Sequence, residues 1–429
     1  MNLLKEINYK LTSVGKFYFL DYFYILLKSV TTVPDGNRDD IFDHFRTLKD
    51  SHQLGESKYK KISLFEELSG KQLGRYRYTF NQIIEESRLY ELIINTDNHK
   101  IILTKLGSEL LELYDKDRSL FNSRLFALTE GKLYGFHYLV SKSYEADLQK
   151  GGLLIFPIYS PLKLGFIKNQ ITTSADVIKY IKALSLKLKE DINKFLKTDI
   201  DINEGEAQLI SKLKDSKLID DDYSKKFDQL NYNLITKRVR DFWLNYFLKT
   251  IYKINLSVSY FDLWIHRGKQ LGIINTTEFY PDFDGKIVYP ISILSTKMVN
   301  NADFSSIYKY PNNEILFLHK PNLDTSMDEY IRILYDSYLD LRNRYKSLFI
   351  NLADLRDIVC YKWKISSDTF IEFLQKAYLL NLQNEIRINI SLEADKLPEE
   401  TQAVYLKREP ILIDNKLRNI ISINLKTHG

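Results

Sequence analysis

One cysteine in 429 residues leaves no room for an internal disulfide framework. Its presence as Cys360 alone, on an apolar helical face of "DLRDIVCYKWK", points to a buried thiol in a reducing compartment, the cytoplasm. Glycine and proline are scarce, at 16 and 9 residues. With abundant Lys, Asn, Ile and Tyr, that is also the composition AT-rich codons give, so it carries no function by itself. No apolar run is long enough to span a bilayer. The most apolar stretch, Phe17 to Val30, contains Asp21 and Lys28 and reads as a buried helix. "MNLLKEINYK" has no small-residue cleavage site behind an apolar core, so neither a signal peptide nor a membrane partner is expected. A large excess of one charge is missing too. Lys and Arg total 61 against 56 acids, a net +5, so any nucleic-acid contact must be a local patch.

Signatures of catalysis are also lacking. The chain has no phosphate-binding glycine loop, no GxGxxG, no CxxC or HExxH, and no GxSxG elbow. Seven scattered histidines do not make a zinc site. No catalytic residue, metal or cofactor is assigned. Two faint enzyme readings remain. Glu278, Asp282, Asp284 and Lys286 in "EFYPDFDGKIVY" have the residue types of a metal-dependent nuclease. They crowd into what is also good turn chemistry. Arg38 and His44 have the residue types of some ribonucleases, and a solvated helix face explains them equally.

What is present is a pattern that occurs three times. "TFNQIIEESRLYELI", "YFDLWIHRGKQLGII" and "TFIEFLQKAYLLNLQ" align on Phe80, Phe261 and Phe370. Each has apolar residues four, ten and twelve positions later: Ile84, Tyr90 and Leu92; Ile265, Leu271 and Ile273; Leu374, Leu380 and Leu382. The first step keeps a helix face apolar, and the last two alternate as the first strand of a hairpin does. A helix precedes each copy. "LIINTDNHKIILT" reads as the first hairpin, "GIINTTEFY" with "GKIVYPISIL" as the second, and "EIRINI" with "NIISINL" as the third, the last joined by a long polar loop from Ser391 to Lys416. A long helix is expected from Leu3 to Val30. A turn is expected at "LGRY" before the first recognition-type helix, and an amphipathic helix capped by Ser174 to about Leu196. The fold class is therefore mainly α with small β hairpins. The expected modules are 1–150, a connector at 151–230, a second module at 231–325 and a C-terminal one at 326–429.

The clearest functional signal is electrostatic. Lys58, Lys60, Lys61, Lys71, Arg75 and Arg77 gather before the first repeat helix, interleaved with Tyr76 and Tyr78. Asn81 and Gln82 follow, and Lys100 lies near the hairpin tip. Arg pairs bidentately with phosphate or guanine, Tyr donates to phosphate, and Asn and Gln read adenine. With "GRYRY" at the N-terminus of a groove-entering helix, this patch is expected to bind double-stranded DNA. His266, Arg267 and Lys269, with Lys237, Arg238 and Arg240, suggest a second and weaker basic surface. The third copy instead places Asp368 and Glu372 where DNA would be met, after Lys362, Trp363 and Lys364. It suits a protein partner or self-association through 326–429.

Helix–turn–helix followed by a hairpin at these places resembles the tandem winged-helix proteins, best over 38–114 and 326–425. That resemblance implies a DNA-binding subunit or adaptor of a bacterial defence or genome-maintenance complex. A protein-only scaffold and a divergent nuclease are the alternatives.

Overall fold

The computed structural model describes residues 12, 14–51, 70–96, 100–132, 135–142, 154–156, 164–166, 171, 173–196, 201–219, 232–279, 286–394 and 410–426. The chain divides into two compact units. One comprises Met1–Tyr9, Leu139–Phe261 and Thr276–Tyr289; the other comprises Lys10–Tyr138, Asp262–Asn275 and Pro290–Gly429. It is mainly α with small antiparallel β elements.

The larger unit opens on buried, non-helical chain. Val14, Phe17, Phe19 and Leu20 are core residues outside any helix, and α1 (Asp21–Thr32) starts only after them. The helix expected to reach back to Leu3 is therefore not helical in its described part before Asp21. The reason lies in where the backbone groups go. Gly15 N–H donates to Glu86 at 2.9 Å and Leu20 N–H to Gln270 at 2.9 Å. The carbonyls of Gly15 and Phe17 accept from Arg267 at 3.1 and 3.0 Å. Helices α2 (Arg38–Ser51) and α3 (Gly70–Leu89) follow, then β1 (Ile93–Asn95) and β2 (Ile101–Leu103), paired Ile93 to Leu103. Gly36, at φ +70°, lets the α1–α2 turn meet this hairpin: Ile101 N–H donates to its carbonyl, and a Cβ there would sit 2.9 Å from the Ile101 carbonyl oxygen. Thr104 caps α4 (Lys105–Lys116), accepting from Gly107 N–H at 3.0 Å, and α5 (Arg118–Lys132) follows.

Strand β3 (Leu154–Phe156) pairs antiparallel with β5 (Lys286–Pro290) in a sheet ordered β3–β5–β4, where β4 spans Ile274–Thr277 and the smaller unit takes its Thr276 and Thr277. The next three helices also belong to the smaller unit. Helix α6 (Ser174–Leu196) buries Val177, Tyr180, Ile181, Leu184, Leu188 and Ile192. Its cap is Thr173, one residue before the expected Ser174. Thr173 Oγ1 accepts from Asp176 N–H at 3.2 Å, and Asp176 accepts from Thr173 N–H at 2.9 Å, a reciprocal capping box. Helix α7 (Asn203–Asp215) packs on α8 (Tyr232–Tyr246), which runs on into a π-helical turn at Phe247–Ile251.

The three repeat copies share a device that the sequence pattern disguised. At the end of α3, Glu91 is left-handed (φ 59°) and Leu92 N–H donates to Ser87 O. After α9 (Val258–Gln270), Gly272 is left-handed and Ile273 N–H reaches Gly268 O. Both are Schellman stops, with the apolar residue after the stop packed back on the helix. The alternating Tyr90/Leu92 and Leu271/Ile273 thus mark a helix end, and β1 and β4 begin one residue later. In the third copy the alternation is not a strand either. Helix α12 (Ser367–Leu382) continues through Leu380 and Leu382 before its own stop, left-handed Asn384 with Glu385 N–H on Leu380 O.

Between copies two and three lies an antiparallel sheet ordered β6–β8–β7, from β6 (Ser292–Ser295), β7 (Phe304–Lys309) and β8 (Ile315–His319). The C-terminal module then runs α10 (Met327–Tyr345), β9 (Ile350–Asn351), α11 (Leu352–Trp363), α12, β10 (Ile388–Glu393) and β13 (Ile420–Leu425). The sheet order β10–β13–β9, with Ile390 opposite Ile423, is that of a winged helix. The expected wing strands are β10 and β13. The polar loop between them holds its own hairpin, β11 (Ile411–Ile413) and β12 (Lys416–Arg418). Asp414 and Asn415 both have positive φ, which makes a two-residue type I′ turn. Among the described residues no helix is long and apolar enough to cross a membrane.

Candidate nucleic-acid interface

Helix α3 is continuous from Gly70 to Leu89, so the turn expected at Leu73–Tyr76 is not formed, and "GRYRY" does not open the helix. Arg75 and Arg77 stand five and seven residues past Gly70. What decides their role is rotation about the helix axis. Phe80, Ile83, Ile84 and Ser87 point into the core. Lys71, Arg75, Tyr78 and Gln82 fall at i, i+4, i+7 and i+11, one ridge on the opposite side. Lys71 and Arg75 are exposed, and Tyr78 is 50% exposed. Gln82 is half-buried, its Oε1 accepting from Lys16 N–H at 3.1 Å. Arg88 is exposed beside this ridge, and Glu85 is the acid upon it.

Glycine 74 sits on the same exposed side. A Cβ added there meets nothing within 4 Å among the described residues. Glycine inside a helix costs about 0.5–1 kcal/mol relative to alanine. Among the described residues nothing packs against it, and a bare backbone permits close approach of a ligand.

Other predicted residues are committed to α2. Arg77 pairs with Asp39 at 3.4 Å and lies 4.9 Å over the Phe42 ring. Tyr76 lies under Lys49 at 3.9 Å and Arg46 at 5.6 Å, a packed cation–π cluster rather than an outward donor. Asn81 Oδ1 accepts from Arg38 at 2.8 Å. Lys100 is exposed at the mouth of the β1–β2 hairpin. Lys58, Lys60 and Lys61 lie outside the described residues, as do Asp282 and Asp284 of the nuclease reading. Arg38 and His44, six apart on α2, point some 120° apart and form no pair of catalytic groups.

The second basic surface is overturned at its centre. Arg267 is 2% exposed, held by both Glu86 oxygens at 2.7 and 3.1 Å and stacked 4.3 Å from the Phe17 ring. Tyr90 donates to the same carboxylate at 2.8 Å. Arg267 is thus a strut on Glu86, which lies one helical turn past Gln82 where the C-terminal part of α3 is buried. His266 packs edge-on against Tyr18 and Phe19. Lys237, Arg238 and Arg240 belong to the other unit. Sequence periodicity missed both Gly74 and Glu86. An isolated Gly reads as a turn, and a pairing 181 residues distant leaves no local trace.

Helix α12 presents the same ridge with other chemistry. Asp368, Glu372, Gln375, Leu379 and Leu382 repeat the i, i+4, i+7, i+11 spacing and then extend it one turn. Leu379 and Leu382 are 55% and 59% exposed. Gln375 donates to Leu412 O at 3.1 Å, which sets the β11–β12 hairpin and its exposed Leu412 and Leu417 beside this ridge. Of the two cations flanking Trp363, Lys362 pairs with Asp340 at 2.7 Å. Lys364 caps α11 with φ 56°, its ammonium 3.7 Å from the Tyr361 ring, and desolvation lowers its pKa to about 8. Comparison with known proteins returned nothing: no protein-family model, curated protein or solved structure matches the chain.

Proposed function

We propose that the chain is a non-enzymatic DNA-binding adaptor. Helix α3 lays its Lys71–Arg75–Tyr78–Gln82 ridge on duplex DNA, and the C-terminal winged helix holds a protein partner or a second copy. The observation that carries this reading is the alignment of three residues of the expected patch, Lys71, Arg75 and Tyr78, on the solvent side of α3, with Gly74 open next to them and half-buried Gln82 continuing the ridge. Arg75 supplies a bidentate donor, Lys71 a point charge, Tyr78 a hydroxyl and Gln82 an amide, a set suited to phosphate positioning with some base contact. Lys100, on the hairpin that follows α3, adds a contact where a wing would touch the neighbouring phosphate. On the α12 ridge, Asp368 and Glu372 repel a polyanion while the exposed leucines supply area for a protein. The resemblance to tandem winged-helix proteins suits a subunit of a bacterial defence or genome-maintenance complex.

Fluorescence anisotropy of the full chain on a labelled duplex tests the reading. Wild type is expected to bind, and Lys71→Glu with Arg75→Glu to weaken binding at least tenfold without changing the circular dichroism spectrum. Unchanged binding in that folded variant removes α3 as the interface. The leucines equally suit a protein-only scaffold. Partner binding without any duplex binding selects that reading.

A further inference from the structure

The smaller unit holds a cleft that the DNA reading does not use. It has a volume of about 590 Å³ and runs between α7 and α8 with the π-turn. Small-molecule sites typically occupy roughly 300–1,000 Å³. The two helices are antiparallel here. Gly205 faces Tyr246, a Cβ at Gly205 falling 3.0 Å from that ring, and Lys212 lies 5.0 Å over Phe242. Arg238 therefore stands toward one end of the furrow and Lys249 toward the other, eleven residues and roughly 16 Å apart along the helix.

Charge and ring geometry select the ligand class. Lys212, Arg238 and Lys249 all line the cleft, and none is in an ion pair among the described residues. Of the acids in the lining, Asp241 is paired with Arg240 at 3.0 Å, and Glu204 accepts from Gln208 Nε2 at 2.9 Å. Phe242 and Tyr246 lie one helical turn apart, nearly parallel at 22°, with centroids 6.2 Å apart. Gln208 places an amide between the cations, whereas the Asn245 amide is committed, accepting from Val258 N–H at 3.1 Å and donating to Asp241 O at 2.8 Å. The π-turn begins beside Tyr246, whose carbonyl accepts from Thr250 at 2.5 Å, and it places Lys249 and Thr250 in the cleft. Such turns are rare and recur at functional sites.

We infer that this cleft binds a nucleoside phosphate: the base stacks on Phe242, Gln208 reads its edge, and Lys212 and Arg238 hold the phosphate. A base over Phe242 displaces the Lys212 ammonium from the ring and frees it for the phosphate. An acidic peptide has the charge but nothing planar to place on the ring, whereas every base has a π face. The nucleoside phosphate comes either as a free nucleotide or as a unit of a single strand.

Isothermal titration calorimetry of the full chain with ATP, with inorganic phosphate and with the oligonucleotide (dT)10 separates these. Lys212 and Arg238 are exposed, so Lys212→Gln with Arg238→Gln should fold normally and bind at least tenfold more weakly. Phe242→Leu should lose about fivefold, while Lys71→Glu with Arg75→Glu should leave binding at this cleft intact. Binding of ATP but not (dT)10 supports a free nucleotide, and the reverse supports a strand. No binding of either overturns the inference. So does binding unchanged by the Lys212/Arg238 pair, or phosphate binding as tight as ATP.

Discussion

Helices α3 and α12 follow one plan and face solvent with opposite chemistry. Each ends in a left-handed stop before a strand, and each carries an outward ridge at the same helical spacing. On α3 the ridge is Lys71, Arg75, Tyr78 and Gln82. On α12 it is Asp368, Glu372, Gln375, Leu379 and Leu382. The buried sides hardly differ in kind, being Phe80, Ile83 and Ile84 against Phe370, Phe373 and Leu374. Packing thus sets the plan, and the handful of residues the core leaves unconstrained distinguishes a polyanion surface from a protein surface.

The largest effect should come from breaking what holds α3 in place. Arg267→Leu leaves the Glu86 charge buried without its partner, which typically costs about 3–5 kcal/mol. Thermal or urea unfolding should show that loss, with duplex binding falling alongside it. Replacing Glu86 as well, in the pair Arg267→Leu with Glu86→Leu, should recover most of it. An unaltered midpoint in the single variant would contradict the strut. On the other ridge, Leu379→Glu with Leu382→Glu should abolish self-association or partner binding in sedimentation experiments while leaving duplex affinity within about twofold. A loss of duplex affinity instead would erase the contrast between the helices.

A smaller contrast concerns buried against exposed cations. The pKa of Lys364 is lowered to about 8 in the folded chain by desolvation, against 10.5 when unfolded. Between those values the unfolded chain binds more protons, so this residue's contribution to stability rises with pH across that window. Below pH 8 the penalty is fully present. Relative to Lys364→Met, wild type should gain about 1–3 kcal/mol between pH 7 and 10.5. Parallel pH profiles would show that the ammonium is not desolvated. The smallest effect is Gly74→Ala. It should stabilise the fold by about 0.5–1 kcal/mol and weaken duplex binding severalfold if the backbone is approached closely. Stabilisation with unchanged binding would leave Gly74 without a role in recognition.

Much of this plan was legible in the residues. Two apolar runs around a polar turn announce the β1–β2 hairpin, alternation marks β10 and β13, and 3.6-residue periodicity marks α6. The errors have physical causes. "LGRY" reads as a turn, yet Gly74 is tolerated within a helix at modest cost when its neighbours favour one. Tyr90 and Leu92 alternate like a strand because a Schellman stop buries two apolar residues on either side of its left-handed residue. Arg267 reads as a surface cation because its acid is 181 residues away. Arg77 belongs to the expected patch by position, but Asp39 and Phe42 take up its charge and its plane. Hence Arg75→Ala should cost more duplex affinity than Arg77→Ala, although the two are near neighbours in sequence.

The central claim is that the α3 ridge neutralises phosphates, and a salt titration of duplex binding by the full chain addresses it most directly. Log affinity should fall linearly with log salt, each phosphate contact contributing about 0.9 to the slope. Lys71→Ala with Arg75→Ala should make the slope shallower by about 2, and Asp368→Ala with Glu372→Ala should leave it unchanged. Binding that ignores salt, or a slope that responds to the α12 pair and not to the α3 pair, contradicts the account.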